Sequence, residues 1–184
     1  KVEIENITDL NVNKNIVSKN MVQDLLDGKW LSATLIEAYI SCNKKSNKTL
    51  IIPNSIGQKI ILSGRFHSKN KRIFLNKVDF NAYESIISFI NIGGHWNLMY
   101  ASKTGTFIYF DPYGNNKSRN TEFLKNWGHF CSNIKDLKDI EWRLKSPHYT
   151  KQPSTDTTNC GVFICIYADY ILNNNSLKFK KDLE

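Results

Sequence analysis

From Gly161 to Leu172 the chain reads Gly-Val-Phe-Ile-Cys-Ile-Tyr-Ala-Asp-Tyr-Ile-Leu, apolar on nearly all sides with Asp169 as its only charge. A helix with no polar face has nothing to offer water and must be enclosed by other elements. The rest of the chain therefore has to be folded around a segment near its end. The run falls short of the roughly 18 apolar residues that a membrane crossing requires, so a transmembrane helix is excluded. Directly before it stand Pro153-Ser154-Thr155-Asp156-Thr157-Thr158-Asn159, polar or turn-forming residues, and then Cys160.

Patterning elsewhere supplies the enclosure. Ser85-Ile86-Ile87-Ser88-Phe89-Ile90 is too apolar for a half-exposed strand and reads as a buried one. Trp96–Ala101 and Thr106–Phe110 are further strands joined by the polar turn Ser102-Lys103-Thr104-Gly105. Thr49-Leu50-Ile51-Ile52-Pro53 and Ile140-Glu141-Trp142-Arg143-Leu144 are expected as strands as well. Helices are expected from a Ser18 cap to about Asp27, with Gly28 as the stop, and after Trp30, where Leu31, Leu35, Ile36, Tyr39 and Ile40 recur at helical spacing. Two more should run from Asn54 to Leu62, ended by Gly64, and after Gly114, with Phe123, Leu124, Trp127 and Phe130 on the apolar face. The layout is α+β, a central, mostly antiparallel sheet flanked by helices. A single domain is expected over 1–184, with residues 1–15 loosely attached and 65–72 an exposed loop.

Composition narrows the class of protein. Of the 184 residues 41% are hydrophobic and 12% aromatic, enough for a core and against disorder. The net charge is +8, yet residues 1–40 alone carry −2. The excess sits in clusters such as Lys44-Lys45-Ser46-Asn47-Lys48, Lys69-Asn70-Lys71-Arg72 and Lys178-Phe179-Lys180-Lys181. No aromatics interleave with the first two clusters, which fit solvated loops better than a nucleic-acid footprint. Cys42, Cys131, Cys160 and Cys165 are too few and too irregular for a disulfide scaffold, which favours a reducing compartment such as a cytosol. The chain opens at Lys1 without a Met or a signal-like segment, so it is expected to be cut from a longer protein.

Cys160 is the residue with the strongest chemical promise. A thiol at a helix start has its pKa lowered by the helix's partial positive charge and its free N–H groups, and Gly161 behind it leaves no Cβ to obstruct a substrate backbone. Cys165 and Cys42 lie on apolar helical faces and read as packing residues. A thiolate nucleophile needs an imidazole and a group that orients it. His67, His95, His129 and His148 compete for the first role. Of these, His95 follows Gly93-Gly94 at the entrance to a strand. Asp111 ends the returning strand, so the hairpin brings it back beside His95, since antiparallel neighbours lie about 4.8 Å apart. Oxyanion donors could come from the Cys160 N–H and the Gln152 amide. No CxxC, HxH or HExxH spacing supports a metal, and no glycine-rich phosphate loop is present.

Taken in order, Gly94-His95-Trp96, Phe110-Asp111-Pro112-Tyr113-Gly114, Gln152 and Asn159-Cys160-Gly161-Val162-Phe163 resemble the Ulp1/SENP-type cysteine proteases. Trp30-Leu31 with Ile36 and Tyr39 is similar to an early segment of that family, so the resemblance covers about residues 25–172. It implies a papain-like, Ulp1-like fold with the nucleophile at the N-terminus of a buried helix. Cys160 would be the nucleophile, His95 the general base and acid, Asp111 its orienter and Gln152 an oxyanion donor. Asn159 and Thr158 are candidates to share that last task. Trp96, with Trp30, Asn159 and Gly161, would line the substrate channel, an aromatic lid selecting a Gly-Gly tail by excluding side chains.

The expected activity is thiol isopeptidase cleavage after the C-terminal Gly-Gly of ubiquitin or a ubiquitin-like modifier, with no cofactor and no metal. Gln152 stands eight residues before Cys160, one or two more than is common in the family, and residues 40–92 match the SUMO proteases poorly. Ubiquitin is therefore placed first, in the manner of a microbial effector deubiquitylase, ahead of SUMO or NEDD8. An acetyltransferase using the same thioester chemistry and a non-catalytic binding module are the rival readings.

Overall fold

The computed structural model describes residues 9–12, 15–44, 46–64 and 77–173. The loop expected at 65–72, His67, the Lys69–Arg72 and Lys178–Lys181 clusters and the first eight residues lie outside them.

At the centre is a five-stranded sheet ordered β3-β4-β5-β6-β7. Its middle is the expected antiparallel meander, β4 (Ser85–Ile92), β5 (His95–Ser102) and β6 (Thr106–Phe110). Ile92 faces His95 across the first turn and Ser102 faces Thr106 across the second. The two edges, β3 (Thr49–Ile51) and β7 (Arg143–Leu144), pair parallel to β4 and β6. Parallel pairing follows from the connections, which must cross over through intervening structure rather than turn back directly. The expected strand at 49–53 is shortened because Pro53 caps the next helix. That at 140–144 shrinks to the two residues that bond along β6, helped by Arg143 N–H donating to Gly105 and Lys145 N–H to Phe107.

Two short strands are present towards the end of the loose tail expected over 1–15. Leu10–Val12 (β1) and Asn15–Val17 (β2) pair as a separate antiparallel hairpin, with Val17 buried. Three helices begin at side-chain caps: α1 (Lys19–Leu26) at Ser18, α2 (Ala33–Asn43) at Ser32 and α4 (Lys117–Cys131) at Asn116. Helix α3 (Asn54–Ser63) stops at Gly64 in the left-handed conformation.

Alternation along the strands divides the interior in two. Ile86, Ile90, Met99, Ala101, Phe107 and Tyr109 face α3 and α4, where Phe123, Trp127 and Phe130 complete the cluster. Ile87, Phe89, Leu98 and Phe110 face α2 and α5 (Cys160–Leu172), packing on Ile36, Ile40, Phe163, Ile164 and Tyr167. The all-apolar helix is thereby enclosed between the sheet and α2. Its first residue comes out at the end of the sheet where β5 starts.

Candidate active site

His95 owes its place to Gly93 and Gly94, whose φ angles of 62° and 83° form a two-residue turn that side-chain-bearing residues enter only with strain. A Cβ on Gly94 would also lie 3.1 Å from the Trp30 ring. Beyond the turn, His95 is the first residue of β5, and β6 returns so that Asp111 follows its last residue. His95 Nε2 lies 2.8 Å from Asp111 Oδ1. Its other ring nitrogen is left for Cys160, whose sulfur pairs with the imidazole and with the backbone N–H groups of Trp96 and Gly161. Cysteine, histidine and aspartate form one row, hydrogen-bonded between His95 and Asp111 and almost entirely shielded from solvent at its two ends. His129 on α4 and His148 in the following connection lie outside that row.

The electrostatics favour a charged pair. Burial opposes charge on His95, but Asp111 and the Cys160 sulfur outweigh it and raise the imidazole to about 9. Burial likewise opposes the Cys160 thiolate, and His95 and the Trp96 N–H, each acting on the sulfur, pull the thiol below its usual value. Asp111 is buried too, yet His95, Arg119 and the Tyr113 N–H keep its carboxyl below the usual range. In contrast, burial alone pushes Cys165 up to about 12. A thiolate favoured in this way can attack a carbonyl carbon, and the imidazolium beside it can pass a proton to the departing group.

The remaining candidates take individual places. Gln152 is buried against the segment that follows β6, its N–H donating to Pro112 O at 2.8 Å, while its side-chain amide donates to Asp156 O at 2.7 Å. Asn159 donates its own amide to the Asp156 carboxylate, which also accepts the N–H groups of Thr158 and Asn159. The loop before Cys160 is thus wired to itself. Trp96 is buried, its indole N–H donating to Leu31 O at 2.9 Å, and Trp30, 54% exposed, is the indole that reaches the surface beside Gly94. Gly161 is needed for a different reason than the open approach inferred from sequence: a Cβ there would meet Leu31 Cβ at 2.9 Å.

Sequence reasoning passed over Arg119 and Tyr113. Arg119 pairs with Asp111 Oδ2, the carboxylate oxygen that His95 leaves free. A signal was present: Arg119 sits in the first turn of α4, where no acidic residue balances it and the helix dipole disfavours a cation that lacks a local anion. Tyr113 stacks on the His95 ring, centroids 4.7 Å apart and planes within 11°. Among the described residues no group of three metal-binding side chains occurs, and no helix is long and apolar enough to cross a membrane.

Cys160, His95 and Asp111 are thus brought together where a helix starts and the sheet ends. The fold is that of the Ulp1/SENP-type proteases, as the motifs led us to expect. The SUMO protease Ulp1, solved in complex with Smt3, the yeast ortholog of SUMO, superposes with a TM-score of 0.78 over 96% of this chain and 82% of its own, at 19% identity. Ulp1 with its catalytic cysteine oxidised to a sulfenic acid gives 0.79 over 97% and 83%, at 20% identity. In sequence, Sentrin-specific protease 2 of Homo sapiens is 25% identical over 174 residues, 89% of this chain. The chain spans 29% of that relative's length. No protein-family model matches.

Proposed function

We propose that this domain is a thiol isopeptidase that hydrolyses the bond after the C-terminal glycine of a ubiquitin-like modifier. The observation that carries the reading is the row Cys160–His95–Asp111, with its sulfur at the first residue of α5. In the reaction the Cys160 thiolate attacks the glycine carbonyl, forming a C–S bond, while the His95 imidazolium gives its proton to the departing lysine amine as the C–N bond breaks. Water then attacks the thioester, His95 takes a proton from it, and the modifier leaves with a free carboxylate. Asp111 holds the ring so that one nitrogen faces the sulfur throughout. In this reading backbone N–H groups at the start of α5 receive the oxyanion. Gln152 spends one of its two amide N–H donors on Asp156 O and keeps the second for the same task.

Sequence reasoning put ubiquitin first. The relatives described as SUMO proteases now weigh toward SUMO, and we place SUMO ahead of ubiquitin as the modifier. A reducing compartment belongs to the same reading, because a low-pKa thiolate survives only where oxidants are held down. The test is incubation with SUMO, ubiquitin and NEDD8 bearing a C-terminal electrophile. The expected result is a covalent adduct with SUMO that disappears in Cys160→Ala, whose fold is unchanged by circular dichroism. An adduct with ubiquitin alone would restore the deubiquitylase reading, and the absence of adduct with all three would end the isopeptidase one.

A further inference from the structure

We infer that Tyr113 is a positioning residue that clamps the His95 ring to the loop in front of Cys160 and thereby sets how readily the thiolate–imidazolium pair forms. This rests on the isopeptidase reading of the site. Three contacts converge on this one residue. Its ring lies flat on the imidazole at 4.7 Å. Its N–H donates to Asp111 Oδ1 at 3.0 Å, the same oxygen that holds His95. Its hydroxyl donates to Asp156 O at 2.9 Å, the same carbonyl that receives the Gln152 amide. Tyr113 therefore touches the imidazole, the carboxylate and the loop that delivers the sulfur.

The stack has a charge preference. The face of a phenol ring is negative, so a protonated imidazole against it is favoured over a neutral one. The stack also stops the imidazole from turning about its bond to Cβ, which keeps its two nitrogens aligned between Asp111 and the sulfur. The other charged or titratable groups facing this pair are Asp111 at the end of β6, Cys160 at the start of α5, Arg119 on α4 and Asp156 in the loop, with the Lys151 chain alongside Gly114. Asp111 and Cys160 contact the imidazole directly, and Tyr113, stacked on it, is tied to the loop by its hydroxyl bond to Asp156 O. Tyr113 is 44% exposed, so replacing it empties no core.

The decisive experiment follows alkylation of Cys160 by iodoacetamide against pH, resolved from the other cysteines by peptide mass spectrometry, in the wild type, Tyr113→Leu and Tyr113→Phe. In the wild type the midpoint should fall below the ordinary thiol value of about 8.5. Tyr113→Leu should raise it by about half a unit to one unit, the loss of one ring–cation contact. Tyr113→Phe keeps the ring and should leave the midpoint in place while lowering kcat about three- to tenfold through the lost hydroxyl bond, at unchanged KM. A Tyr113→Leu midpoint coinciding with the wild type overturns the clamp, even if its melting temperature drops. A wild-type midpoint at the ordinary thiol value would instead refute the ion pair of the isopeptidase reading, and the clamp with it.

Discussion

At the scale of single residues the site is organised by one carboxylate. Asp111 accepts from His95 and Tyr113 on one oxygen and from Arg119 on the other. The guanidinium charge helps to keep Asp111 ionised, so Arg119→Met should raise the Asp111 pKa. The acid limb of the kcat/KM profile follows the Cys160 thiol, since Asp111, held below the usual carboxyl range, protonates only at lower pH. Removing a nearby cation also raises the Cys160 thiol, in the same direction. We expect the acid limb to move up by about one unit, and a profile superimposable on the wild type would remove Arg119 from the site. The basic limb has a separate cause. Activity needs the His95 proton, so the wild-type rate should fall as pH rises past about 9, visible in single-turnover rates with a saturating fused substrate. Cys160, His95 and Asp111 were legible in sequence because the hairpin returns the last two to one end and a polar loop meets an apolar helix at the first. Arg119 and Tyr113 were not, since their roles depend on where a helix and a turn point their side chains.

Secondary elements were legible wherever periodicity was local. The three central strands, α5 and the Ser18 cap are written in runs of a few residues. The parallel edges β3 and β7 were not, because their pairing is decided by crossovers through helices. The hairpin at 10–17 also escaped notice, its Leu10 and Ile16 being exposed and its polar residues resembling a tail. Helix α3 approaches β4 so closely that a Cβ on Gly57 would fall 2.0 Å from Ser88 Oγ. Ser88 is itself fixed by donating to Ile52 O at 3.0 Å. Gly57→Ala should therefore cost about 1–3 kcal/mol by overpacking, despite the better helix propensity of alanine, and urea titration will measure it. A gain in stability would show that α3 can shift away from the sheet.

For the molecule as a whole, the two apolar clusters share the strands between them. Trp127 is fully buried in the cluster facing α3 and α4, and the nucleophile belongs to the other. Trp127→Ala should cost about 3–5 kcal/mol. If the shared strands make the domain one cooperative unit, near-ultraviolet circular dichroism and Cys160 labelling should lose their native signals at the same urea concentration. Labelling that outlasts the dichroism would mean that the catalytic face stands without the other. At low temperature and without urea, the folded variant should turn over at the wild-type kcat, because none of the groups touching Cys160 or His95 has moved.

Trp30 gives the domain a built-in optical probe. Its indole is more than half exposed next to the turn that carries His95, while Trp96 and Trp127 are buried and Trp142 is partly covered. If the proposed substrate tail packs against Trp30, water is stripped from that one ring, shifting its emission to the blue with little change in the other three. Occupancy could then be followed in real time without a dye, and a Trp30→Phe enzyme would serve as the dark control.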